Sequence, residues 1–349
     1  MSCSFGEKFK ITIFGQSHSE MMGVVIDGIP AGIKLDLEKI KKFMARRAPR
    51  AADYSTSRNE KDEFKIVSGI VENITCGAPL CALIENTDAR SDDYKKLADL
   101  PRPSHADFAA YMKHNGFNDI SGGGNFSGRL TAPLCFAGAV AMQMLNEKGI
   151  FVGAHILRVG EICDKKFDSV NVNAADFSDV FFPVLDEKSK EKMLEKIKEI
   201  SEEKDSVGGE IECAIVGLPA GVGEPMFDGI ENTVSRAVFA VPAVKGIEFG
   251  STKNYGSENN DAFISDGNKI KTLTNNHGGI LGGLTSGMPV IFKVLMKPTP
   301  SIGLPQKTVN LKTKEETEIS IGGRHDACIL PRAVPCIEAA AAIAIINLL

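Results

Sequence analysis

The chain has 349 residues, 43% of them hydrophobic and 24% charged, with 40 Lys and Arg against 45 Asp and Glu for a formal net charge of -5. That length corresponds to one large or two average domains, and the apolar content supplies a real core, which excludes a disordered, collagen-like or coiled-coil chain. The negative balance excludes a protein that coats nucleic acid through bulk positive charge, so any bound anion is held by a local cluster of basic residues.

Short β-rich runs in chain order predict strands over Phe9 to Phe14, Phe64 to Val71, Pro79 to Ile84, Ile211 to Val216 and Val290 to Met296. Asp36 caps a predicted helix with Leu37, Ile40, Phe43 and Met44 on one face, ending near Arg47 because Pro49 restricts what precedes it. Ser104 and Asp107 resemble the start of a second helix, with His105 at its first position and Asn115-Gly116 at its end. Glu187 to Lys204 predicts a charged surface helix with Met193, Leu194, Ile197 and Ile200 buried. The last helical stretch, after Asp326, is expected to break at Pro331 and Pro335. Strands and helices alternate without a parallel-sheet rhythm and no linker divides the chain, so an α+β fold in one domain, residues 1–349, is expected.

The eight cysteines show no zinc-ribbon or redox spacing and read as free thiols in a reducing compartment, and no metal is expected. The N-terminal MSCSFGEKFKITIFG lacks a signal-peptide pattern, and the tract from Ala339 to Ile346 is far shorter than the roughly 20 residues that span a bilayer. A cytoplasmic protein with neither membrane nor nucleic-acid partners is the expectation.

Several segments suit chemistry on an anion. Ser17 and His18 leave the first strand in a polar turn, where an imidazole exchanges protons near neutral pH, although a turn histidine bonded to backbone fits as well. Arg46, Arg47 and Arg50 crowd a helix end and need carboxylates or a ligand to offset their repulsion. Gly122-Gly123-Gly124 leads through Asn125, Phe126 and Ser127 to Arg129 and a helix start that Pro133 helps open, a pattern that suits phosphate but lacks the residues of a P-loop. Further on come the glycine loop from Asn275 to Gly283, Lys297-Pro298-Thr299-Pro300-Ser301, and Gly323-Arg324-His325-Asp326, where Asp326 is also a plausible helix cap.

In this order and spacing, FGQSH, RRAP, TSRNEKD, IENTDARSDDY, RPSHAD, GLPAGVGEPMFD, PAVKG, NHGGILGG, KPTPS and GRHDAC resemble the chorismate synthase family over nearly the whole chain. The resemblance implies a β-α-β sandwich, usually tetrameric, and loss of phosphate from 5-enolpyruvylshikimate-3-phosphate to give chorismate. It implies reduced FMN as cofactor, with NADPH in some members serving only to reduce the flavin. By the same resemblance His18 is the acid assisting the departing phosphate, His105 serves the pyrimidine end of the flavin, and Ser17 and Asp326 manage the proton at flavin N5. Arg46, Arg47, Arg50, Arg129 and Arg324 are the expected anion-binding arginines. Asn125, Phe126, Ser127, Pro242, Ala243, Gly282, Lys297, Pro298, Thr299, Pro300, Ser301 and Arg324 are the expected FMN contacts, and Arg47 and Asp53 the positions linked to NADPH. The chain departs from the family pattern at Gln16, Ser19, Arg50, Asp53, Asn125-Phe126, His277 and Pro300. A non-catalytic relative that binds flavin or an anionic metabolite is the alternative.

Overall fold

A computed structural model describes residues 3–49, 61–87, 99–267, 269–321 and 326–349. The chain opens with strands Ser4–Phe5 (β1), Lys10–Gly15 (β2) and Met21–Asp27 (β3), followed by helix Leu37–Arg47 (α1) and strands Phe64–Ser68 (β4) and Leu80–Glu85 (β5). These strands form one antiparallel sheet in the order β1-β2-β3-β5-β4. As predicted, the Asp36 side chain caps α1 by accepting from the Lys39 N-H at 3.1 Å.

Helices Asp107–Lys113 (α2) and Thr131–Asn146 (α3) lead to strands Phe151–Val159 (β6) and Ile162–Cys163 (β7). Helix Glu187–Glu202 (α4), strand Gly209–Val216 (β8), helix Ile230–Val238 (α5), strands Val244–Phe249 (β9) and Val290–Met296 (β10), and helix Leu330–Leu348 (α6) complete the main frame. The second sheet is also antiparallel, in the order β9-β10-β8-β6-β7. Between the two sheets run α3 and α6, largely apolar, with Arg332 and Glu338 of α6 the charged exceptions, and buried along nearly their whole length, as a helix must be when both of its flanks meet a sheet. The architecture is the expected α+β sheet-helix-sheet sandwich, and one apolar cluster runs through it from Phe9 to Ile346.

Three expectations change. α6 does not break at its prolines: Pro331 sits in the first turn, where N-H groups have no helical partner, and Pro335 forgoes a single bond. With 19 residues, α6 is long and apolar enough to cross a membrane, but 89% of its apolar window is buried in the fold, the mark of a core helix. β3 and β6, absent from the pattern-based prediction, are buried on both faces and so lack the alternation that marks a half-exposed strand. α2 begins at Asp107 instead of Ser104, because Ser104 takes φ +58°, outside helical geometry. His105 therefore lies in the turn before the helix.

α3 and α6 approach so closely that a Cβ on Gly138 would stand 2.2 Å from the Cβ of Ala339. In an exposed helix, Gly→Ala gains about 1 kcal/mol. Here Gly138→Ala is expected to lower the free energy of urea unfolding by about 1–3 kcal/mol, the cost of overpacking; a gain in stability would show that the helices separate freely.

Candidate active site

The Gly122-Gly123-Gly124 turn is the scaffold of the site. All three glycines hold positive φ, of 59°, 90° and 54°, and each approaches a neighbour so closely that a side chain would collide. A Cβ on Gly122 would lie 2.2 Å from His18 Cε1 and 2.7 Å from Ser17 Oγ, and one on Gly123 would lie 3.0 Å from His105 Cε1. The Ser17 N-H also donates to the Gly124 carbonyl at 3.1 Å. Two histidines 87 positions apart in sequence thus rest on adjacent residues of one turn. His18 Nδ1 is 3.1 Å from Ser17 Oγ.

His105 is fixed by a carboxylate. Its Nδ1 lies 2.6 Å from Asp107 Oδ1, and Arg102 donates to the same carboxylate from Nε at 2.7 Å, Nη2 at 2.8 Å and its backbone N-H at 3.0 Å. Burial alone would raise the Asp107 carboxyl, but the hydrogen bonds from Arg102 and His105 and their charges outweigh it and hold it well below the usual carboxylate range. An ionised Asp107 accepts the Nδ1 proton, which leaves Nε2 as the exchangeable position.

The arginines surround a cavity of about 950 Å³, at the upper end of the range for small-molecule and cofactor sites. Among the described residues its wall carries Arg47, Arg102, Arg129, Arg236, Lys297 and Arg332, with His105 beside them. Arg47 and Arg129 both donate to the buried Asp62 carboxylate. Arg129 also donates to Asn86 Oδ1 and the Glu85 carbonyl, each at 3.1 Å. Burial pushes Asp62 up, yet the two guanidiniums override it and keep the group below its ordinary value. Arg332 donates from Nη1 to Asp326 Oδ2 at 2.5 Å and from Nε to the Arg47 carbonyl at 3.0 Å. Burial, with the charge of Lys245, draws the Lys297 ammonium down. Among the described residues, six cations against the carboxylates of Asp62, Asp107 and Asp326 leave three positive charges in excess. Apolar wall residues, including Ile11, Ile13, Leu134 and Ile343, give the cavity a face for a flat ring.

Of the predicted residues, Arg47, Arg129, His105 and Asp326 line this cavity, as do Asn125, Phe126, Ser127, Pro242, Ala243, Lys297, Thr299, Pro300 and Ser301. Ser17 and His18 stand against Gly122, which is itself part of the wall. Arg46 does not reach the cavity. One position along α1 from Arg47, it turns inward and donates to Glu338 Oε2 at 2.7 Å and Oε1 at 3.0 Å, both groups being buried. Its charge is consumed in the core, so its assignment to substrate binding is corrected. Gly282, in the hairpin turn between Leu281 and Leu284, and Pro298 likewise do not line the cavity. Asp326 caps no helix, because α6 starts four residues later and Arg332 takes its carboxylate. Arg50, Asp53 and Arg324 lie outside the described residues. Sequence reasoning missed Asp62, Arg102, Arg236 and Arg332 as parts of the site. RPSHAD held the signal for Arg102 and Asp107, an arginine and a carboxylate flanking a histidine.

A sandwich that lines one cavity with cations, against a glycine turn on which two histidines rest, has the features of an enzyme site that takes a small anion. The family model for chorismate synthase matches residues 9–349. The chain is 45% identical over 354 residues to the chorismate synthase of Dehalococcoides mccartyi strain 195, covering 100% of this chain and 96% of that protein. It is 44% identical over 349 residues to that of Methanosarcina barkeri strain Fusaro, covering 98% and 94%. A crystal structure of a chorismate synthase superposes with a TM-score of 0.74 at 25% identity, covering 99% of this chain and 92% of that one. The chain belongs to the chorismate synthase family, the lyases of the shikimate pathway that serve aromatic amino-acid biosynthesis.

Asp107→Asn removes the carboxylate that orients His105. Turnover is expected to fall by about tenfold or more, within the range attributed to a positioned acid or base, while the protein stays folded. Because the folded Asp107 carboxyl sits below its unfolded value, its stabilisation is present above the ordinary carboxylate pKa and is lost as pH falls through and below it. The stability gap between wild type and Asp107→Asn is therefore expected to narrow when urea unfolding is repeated from about pH 6 down to about pH 3. A gap independent of pH would remove the ionised Asp107 from this account.

Proposed function

We propose that the enzyme converts 5-enolpyruvylshikimate-3-phosphate to chorismate and phosphate by anti-1,4-elimination, with reduced FMN held in the cavity. The observation that carries this reading is the excess of positive charge on the wall, matched to a substrate with two carboxylates and a phosphate. Arginine suits such a ligand because its planar guanidinium forms paired hydrogen bonds to carboxylate and phosphate.

The residues present fit a flavin: an apolar wall would take the ring, Lys297 and arginines would take its phosphate, and His105 lies on the same wall. When bound, reduced FMN supplies an electron that helps expel phosphate and takes it back, so the reaction has no net redox change. On this reading Arg47 and Arg129 bind and orient the substrate anions. His18, its Nδ1 engaged by Ser17 Oγ, delivers a proton to the departing phosphate. His105, its Nδ1 held by Asp107, would leave Nε2 to serve the pyrimidine end of the flavin. Asp326, held by Arg332, manages with Ser17 the proton at flavin N5. NADPH, where used, would serve only to reduce the flavin, with Arg47 and Asp53 as its linked positions. A homotetramer is the assembly we assign, supported by large apolar side chains left exposed on this protomer, among them Phe117 at 94% and Ile270 at 74%; light scattering checks it.

In an anaerobic assay with chemically reduced FMN, phosphate and chorismate are expected to appear in equal amounts with no net flavin oxidation. His18→Ala and His105→Ala should each cut turnover by about 10²-fold or more. Arg129→Ala should raise the substrate KM about tenfold or more, the loss of a charged hydrogen bond. Flavin consumption in step with product, or wild-type kinetics in these variants, would overturn the assignment.

A further inference from the structure

Beneath the cavity, α3 and α6 bring two cysteines from distant parts of the chain together. Cys135 Sγ and Cys336 Sγ are 3.7 Å apart, the one sulfur-sulfur contact among the described residues. Both sit one turn before the close approach of Gly138 and Ala339, so backbone proximity at that crossing, together with the short side chains, sets their spacing. Both thiols are buried, Cys135 wholly and Cys336 to 3% exposure, but of the two it is Cys336 that edges the cavity wall, with Arg47 and Arg332. The Cys336 thiol donates to the Arg332 carbonyl at 3.2 Å, and the Arg332 side chain holds Asp326.

We propose that Cys135 and Cys336 are a peroxide-oxidisable dithiol, a modification site whose disulfide switches the enzyme off. A hydroperoxide entering the cavity meets Cys336 first. The Cys336 sulfur attacks one peroxide oxygen, the O-O bond breaks, and a sulfenic acid and one water (or alcohol) form. Cys135 sulfur then displaces hydroxide from that sulfenic acid, giving the disulfide and a second water. Two thiols lose two electrons and two protons, and one peroxide is reduced. Reactivity at Cys336 is favoured by its surroundings: the hydrogen bond from Cys135, then Arg47, Thr131 and Arg332, pull its thiol down against burial. Closing 3.7 Å to the roughly 2.05 Å of a disulfide moves the first turns of α6, and with them Arg332 and its partner Asp326.

The test is a titration of the reduced enzyme with hydrogen peroxide, a quench with excess alkylating agent, and peptide mass mapping alongside chorismate formation. The expected result is a Cys135–Cys336 cross-linked peptide as the main disulfide. Turnover should fall by about 10²-fold, as for an ångström-scale misplacement in a catalytic site, and should return with dithiothreitol. Cys135→Ala should keep its basal turnover, form no cross-link and resist the reversible loss. Three outcomes would each overturn the proposal: both thiols alkylated in peroxide-treated wild type, a cross-link with undiminished turnover, or the same reversible loss in Cys135→Ala.

Discussion

Two guanidiniums cannot stand side by side in a low-dielectric wall unless something offsets their repulsion, and in this fold that something is the Asp62 carboxylate. It accepts from Arg47 at the end of α1 and from Arg129 just ahead of α3, joining the first sheet's helix to the central layer at the edge of the cavity. Burying one charge alone would cost several kcal/mol, whereas a carboxylate shared by two cations leaves a net positive, partly satisfied group aimed at an anion. The rest of the site follows from that placement. Arg332 bonds to the Arg47 carbonyl and holds Asp326, while Asn86 and the Glu85 carbonyl fix the other edge of Arg129.

The glycine turn does for the histidines what Asp62 does for the arginines. Its positive φ values and missing side chains let His18 and His105 rest on neighbouring residues. A turn with side chains would push them apart by their van der Waals radii. The two devices are complementary: one concentrates charge for binding, the other concentrates proton carriers, and both are held by backbone and buried groups that lose little freedom when a ligand arrives.

The same chemistry was put to opposite uses one residue apart. Arg46 and Arg47 are indistinguishable by sequence, both at a helix end and both lacking a visible partner. A step of about 100° around α1 turns one toward Glu338 in the core and the other toward the cavity. Glu338 lies 292 positions away, so no local pattern announces it. The Asp107 carboxylate, in contrast, sits two residues from His105, but a helix-start residue and a histidine partner use the same residue type at the same short spacing, so the pattern alone does not tell them apart.

Local chemistry in the sequence determined the Asp36-capped helix α1, the charged surface helix α4, five of the strands and the glycine turn, because propensity, capping and turn geometry act over a few residues, while the predicted cavity residues came from the family resemblance. The ordered set of motifs also determined the family. Only the tertiary structure decided which arginine faces the ligand, that both histidines share one turn, that β3 and β6 are strands, and that Pro331 and Pro335 lie within an unbroken helix. The first two outcomes depend on groups far apart in the chain meeting, Arg46 with Glu338 in the core and the two histidines on the glycine turn, and the strands and the intact helix on burial that outweighs local preference.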